Sequence, residues 1–279
     1  MLLLIDAGNT RIKWALAALT PAAAGPGSWT ACGAVSHDAI ERLAYDWGTA
    51  PVTTVLIANV AGASVQAALE RQLELLQLQR RAASGPQPVK SDQDLAPMVH
   101  WFASAAQVAG VRNGYRAPER LGCDRLAALV GARALRPDQA LIVAVCGTAT
   151  TIDALTASGD FIGGMILPGP GLMAASLARN TAQLPAVAAM TAGAGAAAAS
   201  IAGMQLFADN TDDAIISGCL AAQAGAIERA VAAHGGAHCL LSGGAAHVVA
   251  ARLGVAVTIV ENLALIGLQV VAGAGKHAA

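Results

Sequence analysis

The chain has little charge and few aromatic residues. Of its 279 residues, 13% are charged and 3% are aromatic, and the formal net charge at pH 7 is −1. Proteins that bind nucleic acid or anionic membranes electrostatically carry a clustered excess of Lys and Arg. The composition therefore argues against both partners. The 55% hydrophobic content instead predicts a soluble protein with a large core, and the length fits about two domains.

The sequence also lacks the signatures of a secreted, zinc-binding or membrane-spanning protein. The cysteines are five, lie far apart and form no C-x-x-C pair, so neither a disulfide framework nor a zinc site is predicted. A reducing, cytoplasmic location is favoured. The start has no basic region before Asp6, which argues against a signal peptide. The Ala/Gly run 185–203 is too weakly apolar for a membrane span. The histidines show no metal-ligand spacing, and none is given a role.

The first residues predict a buried strand, a tight turn and a second, half-buried strand. An apolar run ends at Asp6, and apolar residues then alternate with polar ones after the turn. Gly8 allows close approach of a ligand, Asn9 and Thr10 add donors, and Lys13 adds a cation. Asp6 is placed to hold a hydrated Mg²⁺. The alternative is an ordinary hairpin whose Asp satisfies turn amides, and this segment alone does not separate the two interpretations.

The remaining first half predicts alternating strands and helices. Strands are expected at 29–35 and 52–57, a helix after Asp38 and a second helix from Ser64. A helix that carries Met98, Trp101 and Phe102 is expected at residues 95–109. Residues 111–120 are expected to be irregular, and residues 121–134 to form another helix.

The second half repeats this pattern. A buried run at 141–145 is followed by a Gly-Thr turn, two strands, a helical region, and strands at 238–242 and 255–260 separated by a helix. A closing helix is expected at 262–272. Aligned by eye, residues 6–10 fall on residues 145–149. Internal duplication predicts two similar α/β domains, assigned to residues 1–120 and 121–279.

Five short motifs in order carry a closer resemblance. They are Asp-Ala-Gly-Asn-Thr-Arg-Ile-Lys at 6–13, Leu-Gly-Cys-Asp-Arg at 121–125, Cys-Gly-Thr-Ala-Thr-Thr-Ile-Asp at 146–153, Gly-Gly-Met-Ile-Leu-Pro-Gly at 163–169 and Leu-Ser-Gly-Gly at 241–244. Their order and spacing resemble those of type III pantothenate kinase, also called the Bvg accessory factor family. The resemblance implies duplicated ribonuclease-H-like halves with five-stranded mixed sheets flanked by helices. It also implies a cleft between the halves, as in the acetate and sugar kinase, heat-shock cognate and actin superfamily.

The resemblance also implies roles for individual residues. Asp6 would serve the metal, Asp124 would be the proton acceptor, and Thr181 would reach pantothenate across a homodimer interface that the 163–169 stretch helps to form. The implied ATP-binding residues are Asp6, Ala7, Gly8, Asn9, Thr10, Arg11, Ile12, Lys13, Thr148, Ser242, Gly243 and Gly244. The implied pantothenate-binding residues are Tyr115, Gly122, Cys123, Asp124, Arg125 and Thr181.

The chemistry of the Gly-Cys-Asp-Arg motif agrees with these roles. Asp124 at a helix start beside Arg125 should stay ionised at neutral pH, because the cation and the helix dipole both favour the carboxylate. Arg125 can pair with a substrate carboxylate, which pantothenate has. The alternative is a helix-capping Asp followed by a surface Arg.

One position departs from the family pattern. Many members carry, before the second loop, an Asp that holds a monovalent cation, and this chain has Val145 there. The valine side chain has no oxygen to ligate K⁺ or NH₄⁺, so a cation requirement is in question.

The function expected is transfer of the γ-phosphate of MgATP to the C4′ hydroxyl of pantothenate, the first step of coenzyme A synthesis. Another small-molecule kinase of the same superfamily would keep both phosphate loops but have no use for the Gly-x-Asp-Arg motif. A non-enzymatic regulatory accessory factor is suggested by the family's second name. Such a protein would need a helix-turn-helix or a basic face to bind DNA.

Overall fold

The computed structural model describes residues 1–19, 25–83, 96–187, 201 and 203–275. The chain divides into two compact units, Met1–Leu135 with Leu263–Ala279, and Arg136–Asn262. This division differs from the predicted boundary after residue 120, because the segment 121–135 and the last helix pack within the first unit. Residues 85–94, where the sequence shifts to a linker-like composition, lie outside the described residues.

The first unit is built on a five-stranded mixed sheet in the order β3-β2-β1-β4-β5. Its strands are β1 (Leu2–Ala7), β2 (Arg11–Ala17), β3 (Ala31–Ser36), β4 (Thr54–Asn59) and β5 (Met98–Phe102). β1, β2 and β3 are antiparallel neighbours, whereas β4 runs parallel to both β1 and β5. Strands β1 and β4 lie in the middle of the sheet and are therefore almost continuously apolar and buried.

The predicted helix at 95–109 is wrong, because Met98–Phe102 forms the edge strand β5. The spacing of its apolar residues fits a helix, but five residues are too few to fix the period. The parallel pairing of β5 with β4, from Thr54↔Met98 to Ala58↔Phe102, decides the outcome. Tertiary pairing thus overrides local pattern at a sheet edge.

Helices α1 (Leu43–Trp47) and α2 (Ala63–Ala83) cover one side of this sheet. On α2 the buried residues Val65, Leu69, Leu73 and Leu76 recur at helical spacing, as predicted. A short hairpin of β6 (Gln107–Val108) and β7 (Val111–Asn113) follows β5, in the region where a helix and then an irregular segment were expected.

Helix α3 (Cys123–Leu135) confirms the helix predicted at 121–134, and it packs closely on the last helix of the chain, α7 (Leu263–Gly273). A Cβ added at Gly267 would fall 1.7 Å from the carbonyl oxygen of Ala127, so only glycine allows this approach of the two backbones. The contact joins the end of the chain to the first unit.

The second unit repeats the strand arrangement of the first. Its strands are β8 (Leu141–Cys146), β9 (Ala149–Leu155), β10 (Asp160–Pro168), β11 (His238–Ser242) and β12 (Val257–Ile259). They lie in the order β10-β9-β8-β11-β12, again with three antiparallel neighbours followed by two parallel ones. The order of these five strands repeats that of the first sheet, which confirms the predicted duplication of mixed sheets.

The helices described in the second unit include α4 (Pro170–Asn180), α5 (Thr211–Ala233) and α6 (Ala246–Ala250). Asn210 caps α5 by accepting a hydrogen bond from the Asp213 N–H at 3.0 Å. Among the described helices, α5 is the one long and apolar enough to cross a membrane by length and composition. Its Ile215, Leu220 and Ile227 are buried in the core of this unit, as in a core helix of a soluble protein.

Candidate active site

The first candidate group lies at the end of β1, where the chain turns into β2. Asp6 is the cross-strand partner of Lys13, and both side chains therefore stand on the same face of the sheet. The Gly8 N–H donates to the carbonyl oxygen of Arg11 at 3.1 Å and closes the turn. Asn9 and Thr10 at its tip are exposed.

The pKa of the Asp6 carboxyl group lies close to neutral pH. Although part of its surface is accessible, burial raises the pKa of Asp6 to about 6. The ammonium of Lys13 opposes this rise, and the nearby carboxylate of Asp124 adds to it. Two carboxylates, one near the end of β1 and one in the first turn of the helix Cys123–Leu135, form an oxygen-rich site that favours a cation.

This donor set fits Mg²⁺. Magnesium prefers oxygen ligands, keeps several waters and needs only one or two carboxylates when phosphate oxygens supply the rest. Within the described ranges, no cluster of three or more His, Cys, Asp or Glu side chains forms a complete metal cage. Asp6, with Asp124 beside it, is the group that would hold the ion.

The first turn of helix α3, which carries Asp124, lies at the end of β4. β4 lies beside β1, and Ala7 is in register with Asn59. The Cys123 thiol donates to the Asn59 carbonyl oxygen at 3.7 Å, which docks the first turn of α3 there. Burial raises the pKa of Cys123 to about 11, so at neutral pH this residue is a packed thiol and not a nucleophile.

Asp124 occupies the first turn of α3, and the residue before the helix makes room for it. Its Oδ1 accepts a hydrogen bond from the Arg125 N–H at 2.8 Å. A Cβ added at Gly122 would lie 2.6 Å from that same oxygen, so a larger residue there would displace the carboxylate. The glycine of the Gly-Cys-Asp-Arg motif therefore has a steric purpose.

The net pKa shift of Asp124 is upward. Burial raises its pKa, and the amide and guanidinium of Arg125 oppose the rise. The stabilising influence of Arg125 expected from the sequence is present, but burial exceeds it. A carboxylate with a raised pKa is a stronger proton acceptor than a solvated one.

Arg125 and Tyr115 form a polar pair behind Asp124. Arg125 is 6% exposed, and its Nη1 donates to the Tyr115 hydroxyl oxygen at 2.9 Å. The guanidinium carbon lies 5.6 Å from the Tyr115 ring centre. The alternative of a surface Arg is thus wrong, since this guanidinium is buried and directed at a second predicted residue.

The second candidate group lies in the second unit, around the turn between β8 and β9. The Gly169 N–H donates to the Thr148 carbonyl oxygen at 2.8 Å, and the Ala245 N–H donates to the Cys146 carbonyl oxygen at 3.0 Å. A Cβ at Gly243 would fall 2.3 Å from the Cys146 carbonyl oxygen. The Ser242–Gly244 turn and the Pro168–Gly169 segment therefore pack on the turn that carries Thr148.

A family model described as type III pantothenate kinase matches residues 2–233. A type III pantothenate kinase from Herminiimonas arsenicoxydans is 49% identical over 98% of this chain and 97% of its own length. One from Janthinobacterium sp. (strain Marseille) is 50% identical with the same coverage. The chain belongs to the type III pantothenate kinase family. It is accordingly a kinase, an enzyme of the phosphotransferase class.

Solved structures agree on the fold. A candidate 2-dehydro-3-deoxygalactonokinase from Sinorhizobium meliloti superposes with a TM-score of 0.54 at 16% identity, covering 98% of this chain and 96% of the other. A candidate Baf family transcriptional activator from Campylobacter jejuni superposes with a TM-score of 0.53 at 16% identity, covering 95% and 92%. These similarities establish the fold alone, which is that of the actin-like ATPases and sugar kinases.

Further positions singled out in the sequence of this type III pantothenate kinase family member lie in the second unit. Thr181 is the C-cap residue that follows α4, is exposed, and donates its hydroxyl to the Leu177 carbonyl oxygen at 2.8 Å. Its role toward substrate stays a prediction. Val145 pairs with Thr151 across β8 and β9. The Ser242–Gly244 turn lies beyond the residues that the family model matches, though within the length shared with the relatives.

Two residues that hold these groups in place were missed from the sequence. Asn113 is buried and donates to the Ala105 and Pro118 carbonyl oxygens, while its own side-chain oxygen accepts from the Tyr115 N–H at 3.1 Å. It fixes the segment that carries Tyr115. An Asn between irregular residues gave no sequence signal for this role.

The second missed residue is Gln223 on α5, which is fully buried. Its Nε2 donates to the Pro168 carbonyl oxygen at 2.7 Å, and the N–H of the same peptide unit, that of Gly169, donates to Thr148. Gln223 thus orients one peptide whose other end supports the second turn. The sequence signal for this role was a single glutamine in a mostly apolar helix.

Proposed function

We propose that this protein transfers the γ-phosphate of MgATP to the C4′ hydroxyl of pantothenate, giving 4′-phosphopantothenate in the first step of coenzyme A synthesis. The observation that carries the proposal is the grouping of Asp6, Lys13, Asp124 and Arg125 in the first unit. Membership in the type III pantothenate kinase family supports the choice of substrate.

Asp124 is the proposed proton acceptor. Phosphoryl transfer to an alcohol needs a carboxylate near the attacking hydroxyl, and burial raises the pKa of Asp124 above that of a solvated carboxylate. Gly122 and the Arg125 N–H hold its Oδ1 in place.

Arg125 and Tyr115 are the proposed partners of the pantothenate carboxylate. A buried guanidinium can donate two parallel hydrogen bonds to a carboxylate, and its contact with the Tyr115 hydroxyl fixes the direction of the planar group. Cys123 would contribute packing beside them, because its thiol stays protonated. Thr181 would contact pantothenate from a partner subunit, as the family resemblance implies.

For ATP we propose contacts with the first turn, with Thr148 and with the Ser242–Gly244 turn. Lys13 would neutralise phosphate charge, and the amides and side chains of Asn9 and Thr10 would donate to phosphate oxygens. Asp6 would hold Mg²⁺, which supplies charge neutralisation of the transferred phosphoryl group when bound.

The deciding experiment compares phosphopantothenate formation by the purified wild-type protein and by Asp124→Asn. We expect the variant to lose about 10²–10⁴-fold in kcat because the general base is missing, while MgATP binding by calorimetry is retained. Full activity of Asp124→Asn would remove the base assignment.

A panel of small sugars and acids, scored by ADP release, tests the alternative of another kinase of the same fold. Pantothenate should be the preferred acceptor by a wide margin. Preference for a sugar would overturn the substrate assignment, and absence of turnover with every acceptor would favour the regulatory alternative.

We further propose a cytoplasmic homodimer. The strand β10 and helix α4 carry several large apolar side chains that are more than a third exposed, a pattern typical of an interface: Ile162, Met165, Ile166, Leu172 and Leu177. Sedimentation should give twice the monomer mass.

Because the side chain of Val145 offers no oxygen ligand, we expect turnover to proceed in Na⁺ buffers without K⁺ or NH₄⁺.

A further inference from the structure

We propose that His37 is a positioning residue that sets the orientation of the Gly8–Asn9 peptide in the first turn. The inference rests on the proposed use of that turn for ATP phosphates. The ring Nε2 of His37 lies 2.8 Å from the Gly8 carbonyl oxygen. Because a carbonyl oxygen only accepts, Nε2 must carry a proton and donate it.

The backbone of His37 is well placed for this contact. β3 ends at Ser36, which is in register with Arg11, the first residue after the turn. His37 is the next residue and begins a 3₁₀ helix, His37–Arg42. The sheet ladder on one side and the helix on the other therefore fix the half-buried side chain against the turn.

The hydrogen bond has a directional consequence inside the turn. A trans peptide is planar, and its C=O and N–H point in opposite directions. By fixing the direction of the Gly8 carbonyl, His37 also fixes the direction of the Asn9 N–H, which points the opposite way within the same peptide plane. The Gly8 N–H is already committed to the Arg11 carbonyl oxygen at 3.1 Å. His37 thus determines where the Asn9 amide is directed.

A purely structural contact of the same chemistry occurs elsewhere and supplies a matched control. His234 is also half-buried, and its Nε2 lies 3.0 Å from the Leu155 carbonyl oxygen at the end of β9. None of the candidate site residues takes part in that contact. The two histidines differ in which backbone segment they hold, and not in how they hold it.

The test uses substitutions that keep or lose the reach of Nε2. The amide nitrogen of Gln extends about as far as Nε2 of His, whereas that of Asn stops near Nδ1. We therefore compare His37→Gln, His37→Asn, His234→Gln and His234→Asn in the full chain. The measurements are the calorimetric Kd of MgATP, the KM of each substrate and the thermal midpoint.

For His37→Asn we expect the Kd of MgATP to rise about three- to tenfold, the range typical of one lost hydrogen bond, with the KM of pantothenate unchanged. His37→Gln should recover most of the affinity. Neither His234 variant should change the Kd of MgATP.

Three results would overturn the role of His37. They are an unchanged Kd in His37→Asn, equal losses in the Gln and Asn variants, and loss of native circular dichroism in His37→Asn, since a residue that only orients a turn should be dispensable for folding. Failure of the proposed function looks different. The wild-type protein would then bind MgATP without forming phosphopantothenate, and the Kd comparison would still decide the role of His37.

Discussion

The two units share one sheet arrangement but differ in the chemistry of their first hairpins. In the first unit the register pair beside the turn is Asp6 and Lys13, whereas the equivalent pair in the second unit is Val145 and Thr151. The first turn is one residue longer, since the Gly8 N–H bonds to Arg11 and the Gly147 N–H bonds to Ala149. Duplication has preserved the scaffold, and the Asp–Lys register pair occurs in one copy.

The largest expected effect comes from removing the carboxylate of the first hairpin. Asp6→Asn should lower kcat by about 10²-fold or more, because the proposed Mg²⁺ would lose its protein ligand. It should also raise the thermal midpoint. Burial places the pKa of Asp6 at about 6 in the folded protein, above its ordinary value of 3.8, so the ionised form opposes folding at pH 7.

The sign of this effect follows from proton uptake. As pH falls from 7 towards 4, the folded state binds the Asp6 proton before the unfolded state does, so this group's contribution to stability rises. Asp6→Asn should remove that pH dependence and add roughly 1–2 kcal/mol at pH 7. Urea unfolding at pH 5 and pH 7 measures both quantities.

The matched change in the second hairpin is Val145→Asn. It should cost about 1 kcal/mol of stability by introducing a polar group on a half-buried strand, and kcat should stay within about threefold of wild type. If both Asn variants lost activity equally, the assignment of the charged chemistry to the first hairpin would be wrong.

An intermediate effect is expected from the cation of the pair. Lys13→Met should raise the KM of ATP about tenfold through lost charge neutralisation of the phosphates. Since the ammonium of Lys13 lowers the pKa of Asp6, its removal should also move the acidic limb of the pH–rate profile to higher pH. Thr151→Val, at the equivalent register position, is the control and should show neither change.

The smallest effect is expected in the support of the second turn. Gln223→Met keeps the side-chain volume but leaves the Pro168 carbonyl oxygen without its donor, and should raise the Kd of MgATP about threefold. Ser217→Ala removes another buried side-chain donor from α5, one that holds the Leu206 carbonyl oxygen at 2.8 Å, and should leave the Kd unchanged. Equal responses of the two variants would argue against a specific role for Gln223.

The parts of the fold predicted from sequence are those with strong periodicity. The central strands β1, β4 and β8 are continuous apolar runs, and α2 has a regular buried face, so their local pattern and tertiary place agree. The strand β5 was mistaken for a helix because an edge strand is half exposed and its identity depends on pairing with β4.

The candidate residues chosen from the sequence lie in short motifs, whereas supporting residues that act through distant contacts were missed. Gly122, Asp124 and Arg125 lie within one motif, and the structure gives each a distinct physical purpose. Asn113, Gln223 and His37 act through backbone carbonyls or amides, one of them 55 residues away in sequence. Such contacts leave no spacing pattern for a sequence reader to recognise.

The close packing of α3 on α7 sets the order in which the two units can complete their folds during synthesis. Residues 136–262 are continuous, so the second unit has all of its sequence before the last helix emerges from the ribosome. The first unit, begun earliest, must wait for Gly267 to reach Ala127. During synthesis the second unit can therefore complete its fold before the first unit does. The carboxylates of Asp6 and Asp124 belong to the first unit, which is completed later.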